Sequence, residues 1–237
     1  MTARGGRQRI PRPANARPGP PAPWSVLPPD ARRFTIQEVR ERCALLPPPR
    51  RPELVAPQSR PAAVLLPLFE EDGEARIILT KRPETMPSHK GEIAFPGGKH
   101  QPGVDESLRH AALREAREEI GLRPEAVEVI AELDSLGTIA TRFTIAPFVG
   151  LLDGRPHLQP HPYEVVTVFD VALSELLDPE AYLQERWDMA FPGDTGEQLD
   201  RAIHFYLLPG ETVWGATARI LTAFLSHLTA ERVAKLG

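Results

Sequence analysis

Proline sets the first limit on this chain. Fourteen of its 27 prolines lie before Ala62, in runs such as PRPANARPGPPAPW and LLPPPRRP. Proline fixes φ and carries no backbone donor, so these runs read as extended or disordered chain and not as helix or sheet. One interval breaks the pattern. In FTIQEVRERCALL, Thr35 and Glu38 are spaced as a capping box, and Ile36, Val39, Cys43 and Leu46 fall along one helical face. A short amphipathic helix is expected there, with Cys43 as a small buried apolar residue. The expected organisation is a flexible Pro/Arg-rich arm over residues 1–33, a short helix and Pro-rich linker over 34–61, and one folded domain over 62–237.

Charge is divided as unevenly as proline. Residues 1–60 hold twelve arginines against Asp30, Glu38, Glu41 and Glu53, about +8, which leaves about −12 for the rest of a chain whose net charge is −4. An acidic body is unlike a general nucleic-acid binder. It needs divalent cations before a polyphosphate can approach. The basic arm reads as a solvated tail, with contact to RNA or another polyanion as the alternative. No apolar run approaches the roughly 20 residues of a membrane helix. With no secretory signal block and with Cys43 as the single cysteine, a soluble cytoplasmic protein is expected.

From Ala62 onward β-rich runs dominate. AAVLLPLFEE and ARIILTKR flank the turn signal EDGE and suggest a hairpin, and GEIAFPGG is a third short strand ending in a loop. A helix is expected from about Asp105 to Ile120, with Leu108, Ala112, Ala116 and Ile120 inward and Gly121 as its stop. AVEVIAEL, FTIAPFVGLL, EVVTVFDVAL and RAIHFYLL read as further strands, and the run from Ala216 to Leu236 as a closing helix. Without a regular βαβ rhythm, an α+β fold with a mixed sheet covered by helices fits best.

The chemistry gathers in SHKGEIAFPGGKHQPGVDESLRHAALREAREEIGL, Ser88 to Leu122. Glu115, Glu118 and Glu119 lie three or four residues apart, so on a helix all three can converge on one edge. Alone, REAREE is the pattern of a salt-bridged solvent face. Joined to a glycine loop before it and a Gly121 stop after it, the pattern suits a hard cation such as Mg²⁺, which takes oxygen ligands and is shared with substrate phosphates. Gly97 and Gly98 let backbone approach where a Cβ would obstruct.

This string resembles the signature of Nudix hydrolases, carried here by Gly98, Glu106, Arg114, Glu115, Glu118, Glu119, Gly121 and Leu122. Seven residues separate Gly98 from Glu106, two more than the pattern it resembles, so either Glu106 or Asp105 takes the accessory acidic position. Leu79–Lys99 is similar to the extended motif of the family's coenzyme A pyrophosphatase branch, and Trp214–Leu221 to that branch's carboxy-terminal motif. The branch commonly has a second carboxylate where this chain has His100 and Gln101. The likeness covers about residues 60–228.

The resemblance implies a Nudix fold, a mixed sheet between helices, and Mg²⁺- or Mn²⁺-dependent cleavage of coenzyme A to adenosine 3′,5′-bisphosphate and 4′-phosphopantetheine. It implies Glu115, Glu118 and Glu119 as metal ligands, with the Gly97 carbonyl beside them. The proton acceptor is Glu118 or Glu119 first and Glu164 second, and Arg114 orients the glutamates. Arg82, Lys90 or Arg142 can meet the 3′-phosphate. His89 and Gly98 are further substrate-side positions, although a hydrogen bond from His89 can equally serve to hold the loop. Trp214 and Thr217 match the branch, with Trp214 read as core. His157 and His161 are separated by Pro160 and make no zinc pattern. Hydrolysis of ADP-ribose or another nucleoside diphosphate derivative is the alternative within the family. A non-catalytic nucleotide-binding module is the alternative outside it, and a homodimer is compatible with either.

Overall fold

The computed structural model describes residues 4–51, 59–85, 89–138, 143–189 and 199–236. In chain order the first elements are β1 (Arg17–Pro18), α1 (Ile36–Cys43), β2 (Arg60–Glu71), β3 (Glu74–Lys81), β4 (Ile93–Ala94) and β5 (Gly97–Lys99). Then come α2 (Leu108–Ile120), β6 (Glu128–Glu132), β7 (Leu136–Gly137), β8 (Phe143–Leu151), β9 (Thr167–Ala172) and α3 (Leu173–Leu176). The chain closes with β10 (Tyr182–Met189), β11 (Leu199–Leu208), β12 (Glu211–Trp214) and α4 (Gly215–Ala234). No helix among the described residues is long and apolar enough to cross a membrane.

The chain forms two compact units, Arg33–Leu173 and Ser174–Gly237 with residues 1–32, so the single body expected from residue 62 divides near Leu173. In the first unit β2 is the organising strand. It runs parallel to β8, from Arg60 opposite Phe143 to Leu68 opposite Leu151, and antiparallel to β3 and β5. The sheet is therefore mixed, as expected, in the order β4-β3-β2-β8-β6. The β2–β3 hairpin turns through Asp72 and Gly73, both at positive φ (52° and 69°), which suits the right-handed twist of its strands.

Alternation along β2 sends Ala63, Leu65 and Phe69 into one core with Ala112, Ala116 and Ile120 of α2. Helix α1 packs against β2, β3 and β6, with Val39 and Cys43 buried. Its start is the expected capping box: Thr35 accepts from the Glu38 N–H, and Glu38 reaches back to Thr35 N at 2.9 Å. Helix α2 begins three residues later than expected because Ser107, and not Asp105, caps it, accepting from His110 N at 3.1 Å. Gly121 ends it at φ 70°.

The second unit holds an antiparallel sheet, β1-β10-β11-β12, and α4. Strand β10 was absent from the sequence expectations, because Glu185, Arg186 and Asp188 mask its alternation. Residues 4–32, read above as a loose arm, pair with that sheet: Arg17 lies opposite Arg186, and Gly19 N donates to Gln184 O at 2.8 Å. Trp24 is fully buried and meets Tyr182 edge-on, ring centroids 5.3 Å apart. Pro18 is tolerated because β1 is an edge strand.

Candidate active site

Strand β5 brings Gly97 and Gly98 against β2, and α2 lies beside both. The crowding explains both glycines. A Cβ on Gly97 would come 2.4 Å from the Ala63 carbonyl oxygen, and one on Gly98 would come 2.5 Å from the Glu115 carboxyl carbon. A side chain at Gly98 would occupy the space of that carboxylate.

Glu119, one turn beyond Glu115, is buried with 4% of its surface exposed. Its Oε2 accepts from Gly97 N at 3.1 Å, and Arg82 Nη1 stands 3.8 Å from Oε1. Burial pushes the Glu119 carboxyl up to about 7, opposed by the Gly97 N–H and Arg82 and reinforced by Glu115 and Glu164. Glu115 is also raised, chiefly by burial, with Glu118 and Glu164 adding to it and Arg114 opposing. The charge of Glu164 thus acts on both raised glutamates. Glu164 sits in a turn before β9, where its N–H donates to His161 O at 3.0 Å. This turn is tied to the end of α2 by His161 N to Glu119 O and Gln159 N to Ile120 O, each 2.8 Å.

Glu118 departs from the expected convergence. It is 54% exposed and accepts from Arg114 Nη1 at 2.9 Å. Successive helical residues turn by roughly 100°, so Glu118 and Glu119 cannot share an edge as Glu115 and Glu119 do. Arg114 is the hub of the outer edge. Its Nη1 also reaches Glu115 Oε1 at 3.0 Å, its Nη2 donates to Lys99 O at 3.1 Å, and its Nε and Nη2 hold the two Asp105 oxygens at 2.8 and 3.0 Å.

Between the two accessory candidates the structure separates Asp105, buried, from Glu106, exposed. Arg114 holds the Asp105 carboxyl well below the usual carboxylate range, helped by Gln101 N and His110. Neither His110 nor the Gln101 N–H was anticipated. Gln101 lies in the loop before Asp105 and His110 in the first turn of α2, so no single periodic element marks the three as neighbours.

The remaining candidates lie nearby or apart. Arg82 begins the segment after β3, its N–H donating to Glu92 O at 3.0 Å. Its Nε is buried with no hydrogen-bond partner among the described residues. His89, at φ 56°, bonds Glu92 Oε2 through Nδ1 at 2.7 Å, the loop-holding contact that sequence allowed, and this bond raises its pKa. Lys90 is exposed, and Arg142 lies outside the described residues. Trp214 is half-buried at the end of β12.

Residues 59–191, more than half the chain, match the NUDIX domain family. The chain belongs to the Nudix hydrolases. It is 36% identical over 74% of its length to an uncharacterized Nudix hydrolase, NudL, of Photorhabdus laumondii, covering 88% of that protein. It is 39% identical over 52% of its length to the peroxisomal coenzyme A diphosphatase of Mus musculus, covering 52% of that protein. A MutT/nudix family protein from Enterococcus faecalis aligns with 85% of the chain and 70% of its own, at 16% identity and a TM-score of 0.49.

Nudix hydrolases are enzymes of pyrophosphate bonds that generally use divalent metal ions. Among the described residues no three acidic, histidine or cysteine side chains close to metal-ligating spacing. The donor set nevertheless fits a hard dication. The glutamate donors are carboxylate oxygens, Glu119 is buried and Glu115 half-buried, both with raised pKa values that a cation would lower, and Gly98 leaves open the space where the Glu115 carboxylate lies.

Proposed function

We propose that this Nudix hydrolase cleaves the diphosphate bond of coenzyme A or a derivative, giving adenosine 3′,5′-bisphosphate and 4′-phosphopantetheine. The observation that supports this reading is the meeting of two motifs at one carboxylate. Glu119, from the Nudix helix, is held by Gly97 N and faces Arg82, and both partners belong to the Leu79–Lys99 segment that resembles the coenzyme A branch. Likeness to the mouse coenzyme A diphosphatase points the same way.

In this reading Glu115 and Glu119 would hold the cation, with the Gly97 carbonyl beside them and Glu118, paired with Arg114 on the outer edge, at the margin of the site. A bound dication neutralises the diphosphate and acidifies water. Water attacks one phosphorus, the bridging P–O bond breaks, and each half leaves as a phosphomonoester. The proton of the water passes to a carboxylate. Glu118 or Glu119 is the first acceptor, and Glu164 is the second, on a turn anchored to the same helix. Arg114 keeps the outer glutamates oriented. Arg82 and Lys90, with Arg142, supply positive charge for substrate phosphates.

The test is product analysis after incubating the purified protein with coenzyme A or ADP-ribose and Mg²⁺ or Mn²⁺. Adenosine 3′,5′-bisphosphate with phosphopantetheine is the expected outcome. A large preference for ADP-ribose would replace this substrate while keeping the class. Hydrolysis of neither, with nucleotide bound equally by wild type and Glu119→Gln, would make the chain a binding module.

A further inference from the structure

The turn that carries Glu164 has a second feature that the hydrolytic chemistry leaves unused. Tyr163, the residue before Glu164, is 80% exposed, and Val166 just beyond it is 58% exposed. These are among the few large apolar side chains that the described surface presents to water. Tyr163 is also held in place. Pro160 and Pro162 restrict the backbone before it, and the bonds from His161 N to Glu119 O and from Gln159 N to Ile120 O fix the segment on α2. Val166 N donates to Lys81 O at 2.8 Å, which sets the far end of the segment beside the residue preceding Arg82. The His161 and Tyr163 rings lie 5.8 Å apart and tilted by 55°, so one edge of the phenol has a neighbour while most of its surface is open.

An exposed aromatic ring on an anchored turn, one residue from an acid that acts on the raised glutamates, has the properties of a stacking platform. Aromatic rings bind nucleobases by their π-faces with little demand on base identity, and a ring fixed beforehand loses little entropy in doing so. Resting on the reading of the protein as a hydrolase of nucleoside diphosphate derivatives, we infer that Tyr163 stacks the nucleobase of the substrate, with Val166 extending the apolar surface. The base is remote from the reacting phosphorus. Stacking therefore contributes equally to ground and transition states and acts on KM more than on kcat.

The test combines kinetics with a direct probe of the ring. Tyr163→Ala is expected to raise KM for coenzyme A by about tenfold, the scale of one base–aromatic stack, with kcat changed by less than about twofold. Tyr163→Phe and Tyr163→Trp are expected to keep the wild-type KM, because the face and not the hydroxyl does the binding. Titration of the wild-type protein with ADP should shift the Tyr163 ring protons upfield, and titration with inorganic diphosphate should not. An unchanged KM in Tyr163→Ala, or ring protons indifferent to ADP, would overturn the inference. If the wild type hydrolyses no substrate yet ADP shifts the ring, the stacking role stands and the hydrolytic reading fails, so the two are separable.

Discussion

Acids on the sheet of the second unit and the two inner glutamates of the first unit's site are treated in opposite ways. On the sheet of the second unit Asp188 is paired with Arg17 and Asp200 with Arg186, and hydrogen bonds from these arginines lower both carboxyls. At the site in the first unit, half-buried Glu115 and buried Glu119 act on each other and feel Glu164, and both are raised. The difference teaches which carboxylates the chain's own arginines leave only partly compensated. On that sheet each acid is met by an arginine of the same chain, Arg17 from the arm or Arg186 from β10. At the site Arg82 stands 3.8 Å from Glu119 and Arg114 reaches Glu115 at 3.0 Å, yet burial keeps both carboxyls raised.

The largest effect that sharpens this contrast is on turnover. Glu119→Gln keeps an acceptor for Gly97 N but removes the charge and the proton acceptor, and kcat should fall by about a thousandfold. Steady-state kinetics at saturating Mn²⁺ measure it, and a fall of less than about tenfold would move the proton-accepting role to Glu118 or Glu164. Next is the Asp105–Arg114 pair, where the carboxylate is wholly buried. Asp105→Ala leaves Arg114 without its strongest partner and should lower stability by about 3 kcal/mol in denaturant unfolding. Gly98→Ala follows. Its methyl group would displace the Glu115 carboxylate, and kcat should drop by about a hundredfold, the scale of a 1 Å misplacement, with the fold retained. At the small end, Arg17→Ala breaks only exposed pairs and should leave the unfolding midpoint unchanged within error. A large loss there would mean that the arm's pairing matters as much as the site's.

Local signals in the sequence carried much of this structure, and long-range ones carried little. The Thr35 capping box, the β2–β3 hairpin and the Gly121 stop each depend on neighbours within a few residues. Each appears where its residues indicate. The same holds for Glu115 and Glu119, which share a helix edge by spacing alone. The pairing of the arm with β10 was invisible, because it joins residues about 170 positions apart and prolines gave the opposite signal. Asp105 could not be separated from Glu106 by pattern, since its burial depends on Arg114 and an irregular loop. The outward turn of Glu118 was readable from helix geometry in principle, but the three glutamates were grouped by proximity along the chain.

The proposed function requires that a divalent cation keep Glu115 and Glu119 charged. Without metal, the folded protein holds a proton on Glu119 up to about pH 7, whereas the unfolded chain releases it near 4.5. The associated stability is present below the lower value and lost as pH rises through the upper one, a difference of up to about 3 kcal/mol. The direct measurement is thermal unfolding of metal-free protein at pH 5 and pH 8, wild type against Glu119→Gln, with and without Mn²⁺. The account predicts that Glu119→Gln outlasts the wild type at pH 8 but not at pH 5, and that Mn²⁺ raises the midpoint of the wild type alone. Equal midpoints at both pH values, with no response to Mn²⁺, would contradict it.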